Sequence, residues 1–191
     1  MNFFTDTFRK WLGMLTNPGK TAKKESKKRN ILESLAQVAF AGVLAAIISV
    51  LVPTQGMLEL KALTGAASFY MISLAMIPAV FVLFWAISAS VLYVFAHFLE
   101  GKGNLLQHAH IIALVNAPFG VLGVLLGPIP AVGGILSAAA NLYSLYVLTI
   151  GLREVHKYST GRAALTWLLP VLLLALIIVA LVFTGFVSGL A

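Results

Sequence analysis

The 191-residue chain contains no cysteine, so a disulfide framework and a thiolate metal site are both excluded. It is also poor in charge. Charged residues make up 10% of the chain and hydrophobic residues 60%. In an average soluble domain about 25% of residues are charged and about 45–50% are apolar. These proportions exclude a soluble enzyme, a disordered adaptor and a free nucleic-acid binder, and they indicate that lipid surrounds most of the chain.

The interiors of the long apolar runs lack Asp, Glu, Lys and Arg. Ion-coupled transport usually needs such a side chain within the membrane, so a proton- or ion-coupled pump is disfavoured while a passive pathway is not. Metalloprotease, nucleophile-elbow and phosphate-loop motifs are absent from the sequence as well. We therefore predict a protein that is not an enzyme and that needs no cofactor.

The histidines are the only residues that suggest a metal site. His97, His108, His110 and His156 all map to one side of the predicted membrane domain. However, His108 and His110 point about 200° apart on a helix, and the spans supply no carboxylate to join them. We predict interfacial histidines that form hydrogen bonds and bind no metal.

Five apolar segments are long enough to cross a bilayer, which requires about 20 residues. Pro78 predicts a kink in the second span, and the stretch before that span is predicted to be a loop or an interfacial segment. The prolines and glycines of 127–134 predict a tight turn between the third and fourth spans, and 153–162 a polar loop before the fifth. The predicted spans are 31–53, 69–98, 107–126, 131–150 and 165–187.

The basic residues predict the orientation of these spans. With the N-terminus in the cytoplasm, 12 of the 13 Lys and Arg lie inside and only Lys61 lies outside. Cytoplasmic loops carry such an excess in membrane proteins. The fold class is therefore an all-α polytopic bundle of five transmembrane helices over 31–191, with a cytoplasmic N-terminus and an outside C-terminus. We expect it in the cytoplasmic membrane of a prokaryote.

Residues 1–30 are predicted to form an amphipathic interfacial helix and a basic linker. The apolar residues of the helix recur at spacings of four, three and four, which places them on one face, and 17–19 end it. Such a segment binds anionic headgroups on the cytoplasmic side; the alternative is a flexible tail with an accidental pattern. The predicted lipid-surface contacts are Phe4, Phe8, Trp11, Leu15, Lys23, Lys24, Lys27 and Lys28.

Two asparagines are the deepest polar residues of the predicted bundle. Asn116 and Asn141 lie equally far before and after the turn at 127–130, so both are near mid-membrane on the two arms of one hairpin. We interpret them as an interhelical amide pair worth about 0.6–2 kcal/mol; the alternative is a polar site for a lipid headgroup or solute. The small residues Ala109, Ala113 and Ala117 should bring the two arms together, and such rows also serve homo-oligomers.

An ordered set of motifs over about 95–175 resembles the Yip family of membrane proteins, named for Ypt/Rab-interacting proteins. The motifs are Glu100-Gly101-Lys102-Gly103, Asn116-Ala117-Pro118, Ile129-Pro130 with Gly133-Gly134, Asn141-Leu142-Tyr143, Gly151-Leu152-Arg153-Glu154-Val155-His156 and Ser159-Thr160-Gly161-Arg162-Ala163.

The resemblance implies a five-span helical protein and, in eukaryotic members, a role in vesicle traffic and contact with Rab GTPases. This chain has a short basic N-terminal region and lacks an Asp-Leu-Tyr-Gly-Pro motif, so it is more similar to the compact prokaryotic members. The resemblance therefore does not imply a Rab GTPase partner for this chain. We expect a non-enzymatic scaffold or membrane-organising factor of a trafficking type; the alternative is a passive transporter, channel or lipid-moving protein that uses the Asn116/Asn141 level.

Overall fold

The computed structural model describes residues 2–188, with side chains through 184. These residues form helices and no strand. The helices are α1 Phe3–Thr16, α2 Pro18–Glu25, α3 Ile31–Leu51, α4 Gln55–Thr64, α5 Ala66–Phe98, α6 Leu105–Leu126, α7 Gly133–His156 and α8 Thr160–Ser188.

Five of these helices, α3 and α5 to α8, are long and apolar enough to cross a membrane. The predicted all-α fold with five spans is therefore confirmed. The largest difference in bounds is at the end of the fourth span, where α7 continues to His156 and reduces the predicted polar loop to 157–159. Lys157 then adopts a left-handed conformation (φ 57°) and ends the helix.

Small residues form the contacts at the centre of the bundle. The predicted row on α6 (Ala109, Ala113, Ala117) is buried, and so is a second row of small residues on α3 (Ala41, Ala45, Ser49). A Cβ added to Gly42 would lie 2.5 Å from the Cα of Pro78, so α3 and α5 approach closely at the proline. A comparable row on α7 (Gly133, Ser137 and Asn141) does not pack in this way, because Ser137 is only partly buried and Asn141 is exposed.

The fifth span is attached to the bundle near its N-terminal end only. The Trp167 indole N–H donates to Thr149 Oγ1 at 2.9 Å, and the hydroxyls of Tyr158 and Thr166 are 2.6 Å apart. Beyond Pro170, every described side chain from 171 to 184 is exposed. In a bilayer this apolar surface contacts lipid or another apolar molecule.

Cysteine labelling tests the orientation that the basic residues predict, because the native chain has no cysteine. Single cysteines at Gly56, Lys102, Ile129, Tyr158 and Ala191 should be accessible from outside, inside, outside, inside and outside in turn. The last position lies outside the described residues. A cytoplasmic C-terminus would contradict the orientation.

Candidate functional site

Residues 3–25 fold as a helical hairpin that packs on the bundle. α1 is the predicted amphipathic helix, whereas most of the predicted basic linker is the helix α2. Two adjacent residues determine where α2 begins: the Asn17 side chain accepts a hydrogen bond from the Lys20 N–H at 3.3 Å, and Pro18 occupies the first turn. A Cβ on Gly13 would lie 2.6 Å from Thr21 Oγ1, so the two helices are in close contact.

Ion pairs beneath the hairpin attach it to α3. Lys10 contacts both Asp6 and Glu33, so the hairpin and the start of α3 share one cation. Burial alone would lower the pKa of Lys10, but the two carboxylates raise it above its usual value. The hydrogen bond from Lys10 lowers the pKa of Asp6.

Glu25, at the end of α2, is almost completely buried, with 1% of its surface exposed. Its carboxylate lies 2.9 Å from Lys28 Nζ and 3.2 Å from His110 Nε2 on α6. Burial would raise the pKa of Glu25, yet the hydrogen bonds from His110 and Lys28 lower it to about 2. The carboxylate is thus ionised, and it holds α2 against the membrane domain.

His110 continues this network to α3. Its Nδ1 lies 2.9 Å from Ser34 Oγ, and Ser34 Oγ lies 2.9 Å from the Asn30 carbonyl, to which it donates. Serine, histidine and carboxylate are the groups of a hydrolase triad. Here, however, Ser34 and His110 are fully buried, so the hydroxyl is inaccessible to a substrate and the array serves to join α2, α3 and α6.

The sequence interpretation missed this array because it considered only carboxylates within the spans. Glu25 comes from the N-terminal hairpin instead. Ligand atoms of Glu25, Glu33 and His110 lie within 4.8 Å of one another, a spacing that could hold a metal ion. Lys28 Nζ already lies 2.9 Å from one carboxylate and 3.8 Å from the other, so its ammonium group supplies the positive charge there.

The predicted lipid-contact residues separate into two groups. Phe4 and Phe8 are about half exposed, Leu15 is partly buried, and Lys23, Lys24 and Lys27 are exposed. Two residues face the protein instead. Trp11 is 4% exposed and stacks on Phe40 with ring centres 5.8 Å apart, and Lys28 pairs with Glu25. The prediction of lipid contact is therefore wrong for Trp11, because α1 packs its tryptophan against α3.

The loop before α6 and the loop after α7 meet at His156. The Lys102 N–H donates to the His156 carbonyl at 3.0 Å, and the Gly103 N–H donates to His156 Nδ1 at 3.3 Å. That second bond requires the proton of His156 on Nε2, from which it donates to His108 Nδ1 at 2.8 Å. His108 and His110 thus belong to different networks, as their predicted directions on the helix require.

Steric constraints explain the glycines of this junction. A Cβ on Gly101 would lie 2.4 Å from His156 Nδ1, and one on Gly103 would lie 2.4 Å from Val155 Cγ1. The Tyr158 ring stacks on His156 with centres 5.3 Å apart, and burial raises the pKa of Tyr158.

We call the segments 99–104 and 155–162 together the loop junction. Arg162 Nη1 closes it with a bond to Glu100 Oε2 at 2.8 Å.

The remaining motif residues have structural contacts elsewhere. Pro118 and Ala163 are buried, and two glycines are closely packed: a Cβ on Gly133 would lie 2.5 Å from the Leu126 carbonyl and one on Gly151 would lie 2.6 Å from Ile111 Cγ2. The Pro130 carbonyl accepts from the Val132 N–H at 2.7 Å, the Tyr143 hydroxyl donates to the Leu15 carbonyl at 2.8 Å, and Arg153 pairs with Glu154 at 3.0 Å. Gly134 is the exception, because it has open space around it.

The model of the Yip1 domain matches residues 12–182, which is most of the chain and includes all of these motifs. The chain belongs to the Yip1 family. No curated protein and no solved structure matches it. The family match begins within α1, so it includes most of the hairpin as well as the five spans of this Yip1 protein.

A large cavity of this Yip1 protein lies between α5, α6, α7 and α8 and has a volume of about 910 Å³. Asn116 and Asn141, which were predicted at a common depth, both line this cavity. Their predicted amide–amide bond is wrong. The Asn116 Nδ2 donates to Ser88 Oγ on α5 at 2.9 Å, because equal depth along two helices leaves undetermined which neighbour each side chain faces.

Proposed function

We propose that this Yip1 protein is a non-enzymatic membrane-organising factor whose N-terminal hairpin binds the anionic headgroups of the cytoplasmic leaflet. One observation supports this role above the others: the acidic side chains of the hairpin face the protein, whereas most of its cations are exposed. Its acidic groups, Asp6 and Glu25, pair inward with Lys10 and Lys28. The exposed cations of the hairpin and the segment that follows it are Arg9, Lys20, Lys23, Lys24, Lys27 and Arg29.

The non-enzymatic role is supported by the burial of the reactive groups. Ser34 and His110 are inaccessible, and His108 and His156 are engaged with each other. The Yip1 family is not known as a family of enzymes. We place the protein in the cytoplasmic membrane of a prokaryote, with the N-terminus inside, since the basic hairpin then faces the anionic leaflet.

Replacing four exposed lysines, Lys20, Lys23, Lys24 and Lys27, with glutamine should remove the preference for anionic lipid. Each such cation contributes about 1 kcal/mol near an anionic surface. Native mass spectrometry of protein taken from mixed micelles should show phosphatidylglycerol retained at least about tenfold over phosphatidylcholine, and about equal retention in the variant.

Lys61→Gln is the control, because Lys61 lies on α4 near Tyr70 rather than on the hairpin. It should keep the preference of the unmodified protein. An unchanged lipid ratio in the four-lysine variant would contradict the proposed role of the hairpin.

A second candidate function is passive passage of a lipid or solute along the Asn116/Asn141 level, and the shared cavity favours it. We expect Asn116→Leu to act on stability through the bond to Ser88. A cycle with Ser88→Ala should give a coupling of about 0.5–2 kcal/mol in thermal unfolding, while lipid exchange in proteoliposomes stays unchanged. A fall in exchange at unchanged stability would favour the passage instead.

A further inference from the structure

The cavity between α5, α6, α7 and α8 has the form of a ligand site that opens towards the bilayer. Phe84 and Ile87 on α5 and Val171 and Leu174 on α8 line it, and each is more than half exposed. Lining residues on α5 extend from Val80 to Leu92, a distance of about 18 Å along the helix. The hydrocarbon layer is about 30 Å thick, so the cavity covers more than half of it.

The lining is apolar except for four polar side chains, Ser88, Asn116, Asn141 and Ser144. Ser88 and Ser144 donate to carbonyls of their own helices, and Ser88 also accepts the bond from Asn116. Within the described part of the chain, nothing donates to the Asn116 amide oxygen. This oxygen and the Asn141 amide therefore offer both acceptors and donors to a bound molecule.

The charge of the lining determines the kind of polar group that can enter. None of the described lining residues is Asp, Glu, Lys, Arg or His. A phosphate taken out of water would need cationic partners, and the cavity provides none. A hydroxyl or an ester carbonyl needs only a hydrogen bond, which an asparagine amide can supply.

We propose that this cavity binds an uncharged lipid with hydroxyl and ester groups, of the diacylglycerol type, with its polar end at Asn116 and Asn141 and its acyl chains among the apolar side chains of α5, α6 and α8. The volume of about 910 Å³ falls in the range of about 300–1,000 Å³ that ligand pockets occupy. The site is independent of the anionic-lipid surface of the hairpin.

Tryptophan fluorescence can report occupancy, since Trp167 lines the cavity whereas Trp11 and Trp85 are buried elsewhere in the core. In a Trp11→Phe, Trp85→Phe background, Trp167 is the only tryptophan. The probes are a diacylglycerol and a phosphatidylcholine with the same brominated acyl chains, each added to proteoliposomes. The diacylglycerol should quench Trp167 at a mole fraction about two- to tenfold lower, the effect of about one hydrogen bond.

Two glycine substitutions provide a matched pair of variants. Gly123 lines the cavity and Gly134 does not, and a Cβ on either meets nothing within 4 Å. Gly123→Phe should fill the cavity and abolish the difference between the two lipids, and Gly134→Phe should retain it. Equal quenching by both lipids in the Trp167 background, or a difference that Gly123→Phe leaves intact, would overturn the proposal.

Photocrosslinking tests the same site without removing tryptophans. A diacylglycerol with a diazirine in its acyl chain, reconstituted with the unmodified protein, should label 80–92 and 115–124 in preference to the exposed 175–184, which lie outside the cavity. The same diazirine chain on phosphatidylcholine should label mainly 175–184. Identical labelling by the two lipids would overturn the proposal even if the tryptophan variants fail to fold. Neither result depends on the lysines of the hairpin, so each proposal can fail alone.

Discussion

Glu25→Leu should destabilise the protein by about 3 kcal/mol and release the N-terminal hairpin from the membrane domain. The carboxylate makes two charged hydrogen bonds, to Lys28 and His110, and such bonds contribute about 1.5–3 kcal/mol each. Lys28 can turn to water, but His110 is fully buried and loses its partner. Unfolding in detergent and protease cleavage near 17–30 measure the two effects.

Glu59→Leu is the matched control, since Glu59 is exposed on α4 and its replacement should change stability by less than about 0.5 kcal/mol. Glu25→Gln should have an intermediate effect, because the amide oxygen still accepts from His110. Equal stability of the Glu25→Leu and Glu59→Leu variants would show that the buried network does not hold the hairpin.

The effect of pH on the same variants follows from the low pKa of Glu25. Its pKa in the folded protein is about 2, below the usual 4.5, so the unfolded chain takes up a proton first as pH falls. The stabilisation is complete above about pH 4.5 and is lost as pH approaches 2, by up to about 3 kcal/mol. Glu25→Leu should remove this part of the pH dependence, and Glu59→Leu should retain it.

The sequence was informative wherever one physical property determines the answer. Runs of apolar residues determine where a chain crosses a bilayer, so the five spans were predictable. Position along a helix determines depth, and the two asparagines predicted at one depth do line the same cavity. The partner of Asn116 was not, because Ser88 comes from a helix whose rotation in the bundle depends on the packing of small residues such as Gly42.

The hairpin shows a different limit. Its lysines favour the prediction of a solvated linker. The sequence also contains a local signal for a helix start at 17–18, where an asparagine cap and a first-turn proline begin α2. Glu25 looks like one more surface charge in that lysine-rich segment. Only the packing of the hairpin against α6 makes it a buried partner of His110, and no periodicity within a single helix records such a contact.

Gly→Ala changes inside and outside the loop junction should have opposite outcomes. Gly101→Ala would place a Cβ 2.4 Å from His156 Nδ1 and 2.8 Å from the Ala96 carbonyl. Overpacking of this kind costs about 1–3 kcal/mol, and it would displace the ring that Gly103 and His108 both contact. Gly134→Ala meets open space within α7 and should leave the protein as stable as before or slightly more stable.

The identity of the obstructing atoms gives a sharper form of this test, by thermal unfolding in detergent. At Gly103 the closest atom is Val155 Cγ1, at 2.4 Å, and the nearest backbone atom is the Val155 carbonyl oxygen at 3.0 Å, whereas at Gly101 the Ala96 carbonyl oxygen lies within 2.8 Å. Gly103→Ala should therefore cost less in a Val155→Ala background than in the native one, and Gly101→Ala should cost the same in both. If Gly101→Ala is as stable as Gly134→Ala, the loops do not meet at His156, and the family motif must act there through something other than close packing.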